Sequence, residues 1–175
     1  RRESAKALVT ELRKEFRYAS VLGADIQSKN IRVDRNTSNI STGRDTECGF
    51  VVRAAGDGLF YEYSMDDVSY PIPDLADYIC KLFPQKKFEG MPSISRQVLS
   101  DEPLVENFLR ESDIDTISEE DMLSFCRKLS ADILAGSDKL LNAFTALSYI
   151  DTHKLFISKN RCLTQHYTWY NGAIM

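Results

Sequence analysis

Residues 48–64, CGFVVRAAGDGLFYEYS, decide the fold of this chain. Two apolar-rich runs, residues 48–54 and 59–64, flank the turn sequence Ala55-Gly56-Asp57-Gly58. Because glycine reaches positive φ at little cost, this pattern predicts a β-hairpin. A connection this short cannot cross over to a parallel neighbour, so the two strands are predicted to be antiparallel.

More strands are predicted on the amino-terminal side of the hairpin. They are residues 20–27, residues 30–34 and the polar run 36–41, with a turn near Lys29 and Asn30. With the hairpin, they predict an antiparallel β-meander over residues 20–64.

Amphipathic helices are predicted on both sides of the meander. The first has apolar residues at helical spacing, namely Ala5, Leu8, Val9, Leu12 and Phe16. The second begins near Pro73, which suits a first helical turn, and runs to about residue 83. Its apolar face is Leu75, Ala76, Ile79, Leu82 and Phe83.

The third helix has a clear start and end. Ser118-x-x-Asp121 resembles a capping box, and Gly136 is predicted to end the helix. Its predicted buried stripe is Met122, Phe125, Cys126, Leu129, Ile133 and Leu134.

The remaining segments complete the prediction. Residues 84–117 contain three prolines and read as an irregular, exposed connection, with a helical turn or two at 104–109. Strands are predicted at 140–150, 153–158 and 163–170, with turns at 151–152 and 159–161. The fold class is therefore α+β, with an antiparallel β-meander packed against amphipathic helices in two layers. The predicted segments are 1–83, 84–117 and 118–175, as one compact domain or two tight subdomains.

Composition excludes several protein classes. The chain has 175 residues, 43% of them hydrophobic and 27% charged, which excludes a disordered tail, a collagen-like repeat and a disulfide miniprotein. Its net charge of −4 argues against a protein that coats nucleic acid phosphates. No apolar run is long enough for a transmembrane helix or a signal sequence, so we expect a cytoplasmic protein with no membrane partner. Arg1 begins inside a helical pattern and Met175 follows the strand-like residues 167–170, so we expect a piece of a longer chain.

The sequence offers no metal, cofactor or catalytic motif. Cys48, Cys80, Cys126 and Cys162 form no CxxC pair, and we expect them to be reduced and structural. The dipeptide His-Glu does not occur, and we expect His153 in an exposed turn and His166 in a strand. Cys162 and His166 share one face of a strand, about 13 Å apart, too far to form a nucleophile–base pair unless the strand is broken.

The last predicted strand is the one candidate contact surface. Tyr167 and Trp169 should lie on one face of residues 163–170, because alternate side chains of a strand share a side. We expect this segment to be an edge strand that a further strand, a partner or a second copy covers.

The order of segments is similar to the amino-terminal domain of the TldD/PmbA family. The similarity runs through residues 18–67, with Ile31-Arg32-Val33, the stretch 45–52 around Gly49, and Asp57-Gly58 before the strand at 59–64. Residues 117–134, 140–160 and 165–170 resemble the family's later helix and its strand–turn–strand.

This resemblance implies a function for the parent chain rather than for this segment. TldD-type members are zinc metallopeptidases whose His-Glu-x-x-x-His helix lies beyond the amino-terminal part, and PmbA/TldE-type members are partners without that motif. The family has also been labelled a modulator of DNA gyrase. The segment would then be a non-catalytic domain that shapes the substrate cleft or the subunit contact in peptide proteolysis, with zinc only in a parent chain of the catalytic type. Its partners would be a second TldD/PmbA-type subunit or itself, and a peptide substrate in the full-length complex.

Two other classes stay open. One is a free-standing protein-interaction module without catalysis, which would use the exposed edge of the last strand. The other is a small enzyme whose Cys and His side chains are brought together by folding.

Overall fold

Helices and strands alternate irregularly along the chain. The computed structural model describes residues 1–56, 59–83, 101–109 and 117–175, and within them three helices and seven strands form. In chain order these are α1 (Arg2–Leu12), β1 (Tyr18–Val33), β2 (Ser38–Thr42), β3 (Glu47–Gly56), β4 (Leu59–Met65), α2 (Ile72–Leu82), β5 (Leu104–Leu109), α3 (Glu119–Ala135), β6 (Thr145–Ser158) and β7 (Arg161–Ile174).

The strands form one mixed sheet. Its order is β4-β3-β1-β6-β7-β5, with β2 paired to β1 beside this path. β3 and β4 are antiparallel from Phe50↔Met65 to Gly56↔Leu59, which confirms the predicted hairpin. The two central turn residues, 57 and 58, lie outside the described residues. The predicted α+β fold class is therefore confirmed.

The structure divides into two compact units. Unit 1 consists of residues 1–25, 48–108 and 153–165, and unit 2 of residues 26–47, 109–152 and 166–175. β1, β6 and β7 are long enough to contribute residues to both units.

Unit 1 packs two helices against strands. The predicted apolar face of the first helix, Ala5 to Phe16, is buried as expected, although Phe16 follows the end of α1. Leu75, Ala76 and Ile79 of α2 join the same core, whereas Leu82 of the predicted α2 face is exposed. The rings of Tyr61 and Phe83 stack at 4.8 Å, and Phe16 contacts both edge-on. α1 and α2 touch each other. The apolar faces of the two helices and of the strands thus pack together in one hydrophobic core, which removes them from water.

Unit 2 has its own smaller core. Ile31 and Val33 of β1 pack against Met122 and Cys126 of α3. β2 pairs antiparallel with β1 from Lys29↔Thr42 to Val33↔Ser38. The predicted cap of α3 is confirmed, because the Ser118 hydroxyl accepts a hydrogen bond from the backbone N–H of Asp121 at 3.0 Å.

Several predicted boundaries were wrong. β1 is one continuous strand, so the predicted turn at Lys29 and Asn30 is absent, and β6 likewise runs through the predicted turn at 151–152. Lys29 and Asn30 pair with β2, and pairing of this kind supports polar residues inside a strand. Residues 104–109 form β5 instead of a helical turn. Residues 84–100 and 110–116 of the predicted connection lie outside the described residues.

The buried stripe of α3 also differs from the prediction. Met122 and Cys126 are buried, but Phe125 is 59% exposed, and Leu129 and Ile133 are only partly buried. Ser130 completes the buried face because its hydroxyl donates a hydrogen bond to the carbonyl of Ala143 at 2.8 Å. A satisfied polar side chain can occupy a buried position that periodicity alone assigns to a larger apolar residue.

No helix in the described part of the chain is both long enough and apolar enough to cross a membrane.

Candidate functional site

A cleft of about 550 Å³ lies in unit 1 between one side of α1 and the turn that joins β6 to β7. Its lining consists of Arg2, Lys6, Val9, Thr10, Arg13, Val105, Ile157, Ser158, Lys159, Asn160, Arg161 and Cys162. This volume is in the range of pockets that hold small ligands or short peptide segments.

The α1 side of the cleft follows from helical periodicity. Arg2, Lys6 and Arg13 are separated by four and seven residues, and these spacings bring their side chains to one side of the helix. Val9 and Thr10 lie between them along the same side. The apolar face formed by Leu8 and Leu12 is buried in the core of the unit, which orients the cationic side next to the β6–β7 turn.

The opposite side of the cleft is the turn at Lys159 and Asn160, which residues 101–104 hold in place. The carboxylate of Asp101 accepts hydrogen bonds from the Ser158 hydroxyl and from the backbone N–H of Asn160, and the Asn160 side-chain amide donates to the Asp101 carbonyl at 2.9 Å. The backbone N–H of Leu104 donates to the Asn160 carbonyl at 3.1 Å. The turn is therefore fixed by backbone and side-chain contacts together.

Arg161 and a floor of three buried residues, Ile157, Ser158 and Cys162, complete the cleft. Arg161 Nε donates to the Glu102 carbonyl at 3.0 Å, so its guanidinium is oriented by the same segment. Ile157, Ser158 and Cys162 are buried and form an apolar and weakly polar floor. The Arg2 guanidinium donates to Cys162 Sγ at 2.9 Å across this floor.

Arg13 contributes a polar atom that has no partner within the described structure. Its Nε is buried and makes no hydrogen bond there, although the residue as a whole is only partly buried. A buried donor without a partner costs free energy, and a ligand with an acceptor oxygen would remove that cost.

The residues singled out from the sequence lie elsewhere, in β7. Tyr167 and Trp169 share one face as predicted, with ring centroids 6.2 Å apart in an edge-to-face arrangement, and Trp169 is 54% exposed. β7, however, is not the end of the sheet, because β6 lies on one side of it and β5 on the other. β5 has six residues and lies beside the first part of β7, where Leu104 contacts Asn160 and Asn107 contacts Thr164. The prediction of an edge strand was therefore wrong for that part of residues 163–170 and stays a prediction for residues 167–170. The role of Tyr167 and Trp169 as a contact surface stays a prediction.

The histidines are both in strands. His153 lies within β6 rather than in the predicted turn, because β6 continues to Ser158. His166 Nε2 is 3.1 Å from Asp151 Oδ1, and the Thr168 hydroxyl donates to the same oxygen at 2.8 Å. β7 is unbroken from Arg161 to Ile174. Along an unbroken strand, Cys162 and His166 lie too far apart to form a nucleophile–base pair.

All four cysteines are free. Burial raises the pKa of the Cys80 thiol, and the nearby carboxylates of Glu15 and Asp77 raise it further. Burial also raises the pKa of Cys126, against a smaller opposing effect of Thr145. A raised pKa makes a thiol less nucleophilic at neutral pH, so these two cysteines are suited to packing rather than to catalysis.

The basic cleft was missed in the sequence. The sequence contains one indication of it, because the cations at positions 2, 6 and 13 lie on one side of the helix. The same pattern, however, is typical of an ordinary solvent-exposed helix face. The signal becomes specific only when Lys159 and Arg161, from the other end of the sequence, are placed opposite.

Comparison with known proteins identifies the fold. No family model and no curated protein matches the sequence. Several solved structures match, and three of them cover 98% of the chain: a proposed modulator of DNA gyrase from Bacteroides thetaiotaomicron (TM-score 0.65, 12% identity), another from Thermotoga maritima (0.66, 6%) and TldE from Thermococcus kodakarensis (0.56, 16%). The match covers 40%, 42% and 39% of those chains, so this chain spans about two fifths of their length. The resemblance to the TldD/PmbA family is thereby confirmed at the level of the fold.

Proposed function

We propose that this chain is a non-catalytic amino-terminal domain of a TldD/PmbA-like metallopeptidase or of its partner that lacks the zinc motif. In that role it shapes the substrate cleft or the subunit contact in peptide proteolysis. The observation that carries the proposal is the fold match over 98% of this chain but only about two fifths of each matched structure. A segment with these proportions is what one domain of a larger protein of this fold would be.

The His-Glu-x-x-x-His motif that holds zinc in such a peptidase does not occur in this sequence. The metallopeptidase motif needs two histidines on one helix, whereas His153 lies in β6 and His166 in β7. His166 contacts Asp151. No step of catalysis is therefore assigned to this chain, and the catalytic zinc would be held by a His-Glu-x-x-x-His helix elsewhere in a parent chain of the catalytic type.

The proposed partners are a second TldD/PmbA-type subunit or a second copy, and a peptide substrate in the full complex. Among the strands that the structure describes, β5 is the last on its side of the sheet, and its Val105 is 75% and its Phe108 54% exposed. An exposed apolar edge strand has backbone groups available for pairing with another chain. We propose a cytoplasmic location, with no membrane and no nucleic acid partner.

The experiment compares the 175-residue chain with the product of the whole reading frame. We expect the 175-residue chain to cleave none of a mixture of unfolded peptides and to contain no stoichiometric zinc by elemental analysis. We expect a His-Glu-x-x-x-His sequence downstream, or co-purification of the full product with a subunit that carries it. Peptide cleavage by the 175-residue chain would contradict a non-catalytic role, and stoichiometric zinc in it would contradict the expected absence of a metal site.

A free-standing interaction module is the second candidate, favoured by the same exposed β5 edge. A stop codon directly after position 175, with no co-purifying peptidase subunit, would support the module and exclude the domain of a peptidase.

A further inference from the structure

Every charged side chain that lines the unit 1 cleft is a cation. Arg2, Lys6 and Arg13 come from α1, Lys159 from the β6–β7 turn and Arg161 from the start of β7. We propose that this cleft binds an acidic peptide segment in an extended conformation along α1. The inference does not depend on whether the parent chain is a peptidase.

The charge of the cleft is opposite to that of the chain. Five cations and no carboxylate line the cleft, whereas the whole chain carries a net charge of −4. A concave surface lined by one sign of charge concentrates its field and attracts ligands of the opposite sign. The ligand is therefore an anion.

Nearby acidic groups reduce this charge without reversing it. Glu3 pairs with Lys6 at 3.0 Å, but the two side chains are 83% and 43% exposed, and such pairs are weak and easily exchanged. Asp101 accepts hydrogen bonds from Ser158 and Asn160, which are not cations. Arg13 Nε has no hydrogen-bond acceptor in the described structure.

The spacing of the cations favours a ligand with several separated charges. Arg2 and Arg13 are eleven residues apart in sequence, which corresponds to about 16 Å along a helix. An extended peptide covers that distance with about five residues, and its acidic side chains can meet successive cations. A single phosphate or carboxylate would reach only one end of the row.

The floor favours a peptide over a nucleic acid. Val105 is 75% exposed and supplies apolar surface in the lining, which suits an apolar side chain of a peptide, whereas Val9 and Ile157 line the cleft but are each only 2% exposed. The lining residues include no aromatic ring. Proteins that bind single-stranded nucleic acid in a basic groove use such rings to stack the bases.

The test measures fluorescence anisotropy of a labelled peptide that alternates Glu with Ala, using the purified 175-residue chain at low ionic strength. A peptide that alternates Gln with Ala and a labelled single-stranded oligonucleotide are the comparison ligands. We expect the Glu–Ala peptide to bind, the Gln–Ala peptide not to bind, and added salt to weaken the binding.

Matched double variants locate the binding. Lys6→Gln with Arg13→Gln removes two cations from the cleft, and Lys14→Gln with Arg17→Gln removes two from the residues that follow α1, outside the cleft lining. We expect the first double variant to weaken peptide binding about tenfold or more, because charged hydrogen bonds are lost, and the second to change it less than about twofold. Lys159→Gln, at an exposed turn position, gives an independent test if the α1 variants lose their circular dichroism signal.

Three results would overturn the proposal. One is the absence of Glu–Ala peptide binding at low salt. Another is an equal loss of binding in the two double variants, which would show attraction to surface charge in general. The third is tighter binding of the oligonucleotide than of the peptide, which would assign the cleft to nucleic acid.

Discussion

The guanidinium of Arg2 donates a hydrogen bond to the Sγ atom of Cys162 over 2.9 Å, although 160 residues separate them in the sequence. The contact joins the first turn of α1 to the beginning of β7 at the floor of the basic cleft. The tertiary structure thus places a cation at one end of the cleft, although neither residue belongs to a sequence motif that predicts a site.

The buried face of α3 can be tested with two substitutions on the same helix. Met122→Ala should lower the free energy of unfolding by about 2–5 kcal/mol, because Met122 is 2% exposed and its removal leaves a cavity. Phe125→Ala should cost less than about 1 kcal/mol, since Phe125 is 59% exposed. Urea denaturation measures both free energies. A larger loss for Phe125→Ala than for Met122→Ala would contradict the buried face seen in the structure and support the one predicted from periodicity.

Gly43 should not tolerate a side chain. A Cβ atom at this position would lie 2.2 Å from Ser28 Oγ and 2.8 Å from Ser28 Cβ, and Ser28 is held by hydrogen bonds to Thr46. We expect Gly43→Ala to lower the free energy of unfolding by about 1–3 kcal/mol, as overpacking does. Gly172→Ala is the control, because the nearest atom to its Cβ would be 3.8 Å away. Equal melting temperatures for the two variants would refute the predicted clash.

The cysteines should react with a thiol reagent in a defined order. Cys48 is exposed and should give the fast phase in the native protein, which Cys48→Ser should remove. Cys80 and Cys126 should react slowly, because burial limits access and their raised pKa values lower the thiolate fraction. In the unfolded protein without reductant we expect four reactive thiols, and two would indicate a disulfide.

The Asp34 carboxylate should make stability depend on pH. Its pKa is lowered below 3.8, first by the hydrogen bond from the Thr37 hydroxyl and then by the backbone N–H groups of Asn36 and Thr37. Because the folded pKa is the lower one, this contribution is present above the unfolded pKa and is lost as pH falls through the folded pKa.

We therefore expect Asp34→Ala to lower the urea midpoint at pH 6. In strong acid, the midpoint of the variant should approach that of the wild type. Asp45→Ala, which removes an exposed carboxylate of the same unit, is the control. A difference between wild type and Asp34→Ala that is the same at all pH values would contradict the role of the ionised carboxylate.

Features that depend on local sequence were predicted well. The α1 face from Ala5 to Phe16, the cap at Ser118 and the β3–β4 hairpin each depend on residues within a few positions of one another. Strand continuity was predicted poorly, because Asp151 and Thr152 resemble turn residues until pairing partners on both sides of β6 hold them in a strand. β5 was not predicted, because the sequence of its six residues does not favour a strand strongly and pairing with β7 is what stabilises it.

By itself, the sequence determined the fold class, the apolar face of the first helix, the hairpin and the order of segments that resembles the TldD/PmbA family. These depend on periodicity, caps and turn residues, which act over short distances along the chain. The predicted face of the second helix was correct except for Leu82, which is 44% exposed. Tertiary structure alone decided the length of β1 and β6, the place of β7 inside the sheet and the assembly of the basic cleft. The physical reason is that strand pairing and the meeting of Arg2 with Cys162 join residues from distant parts of the chain, whose proximity no local pattern encodes.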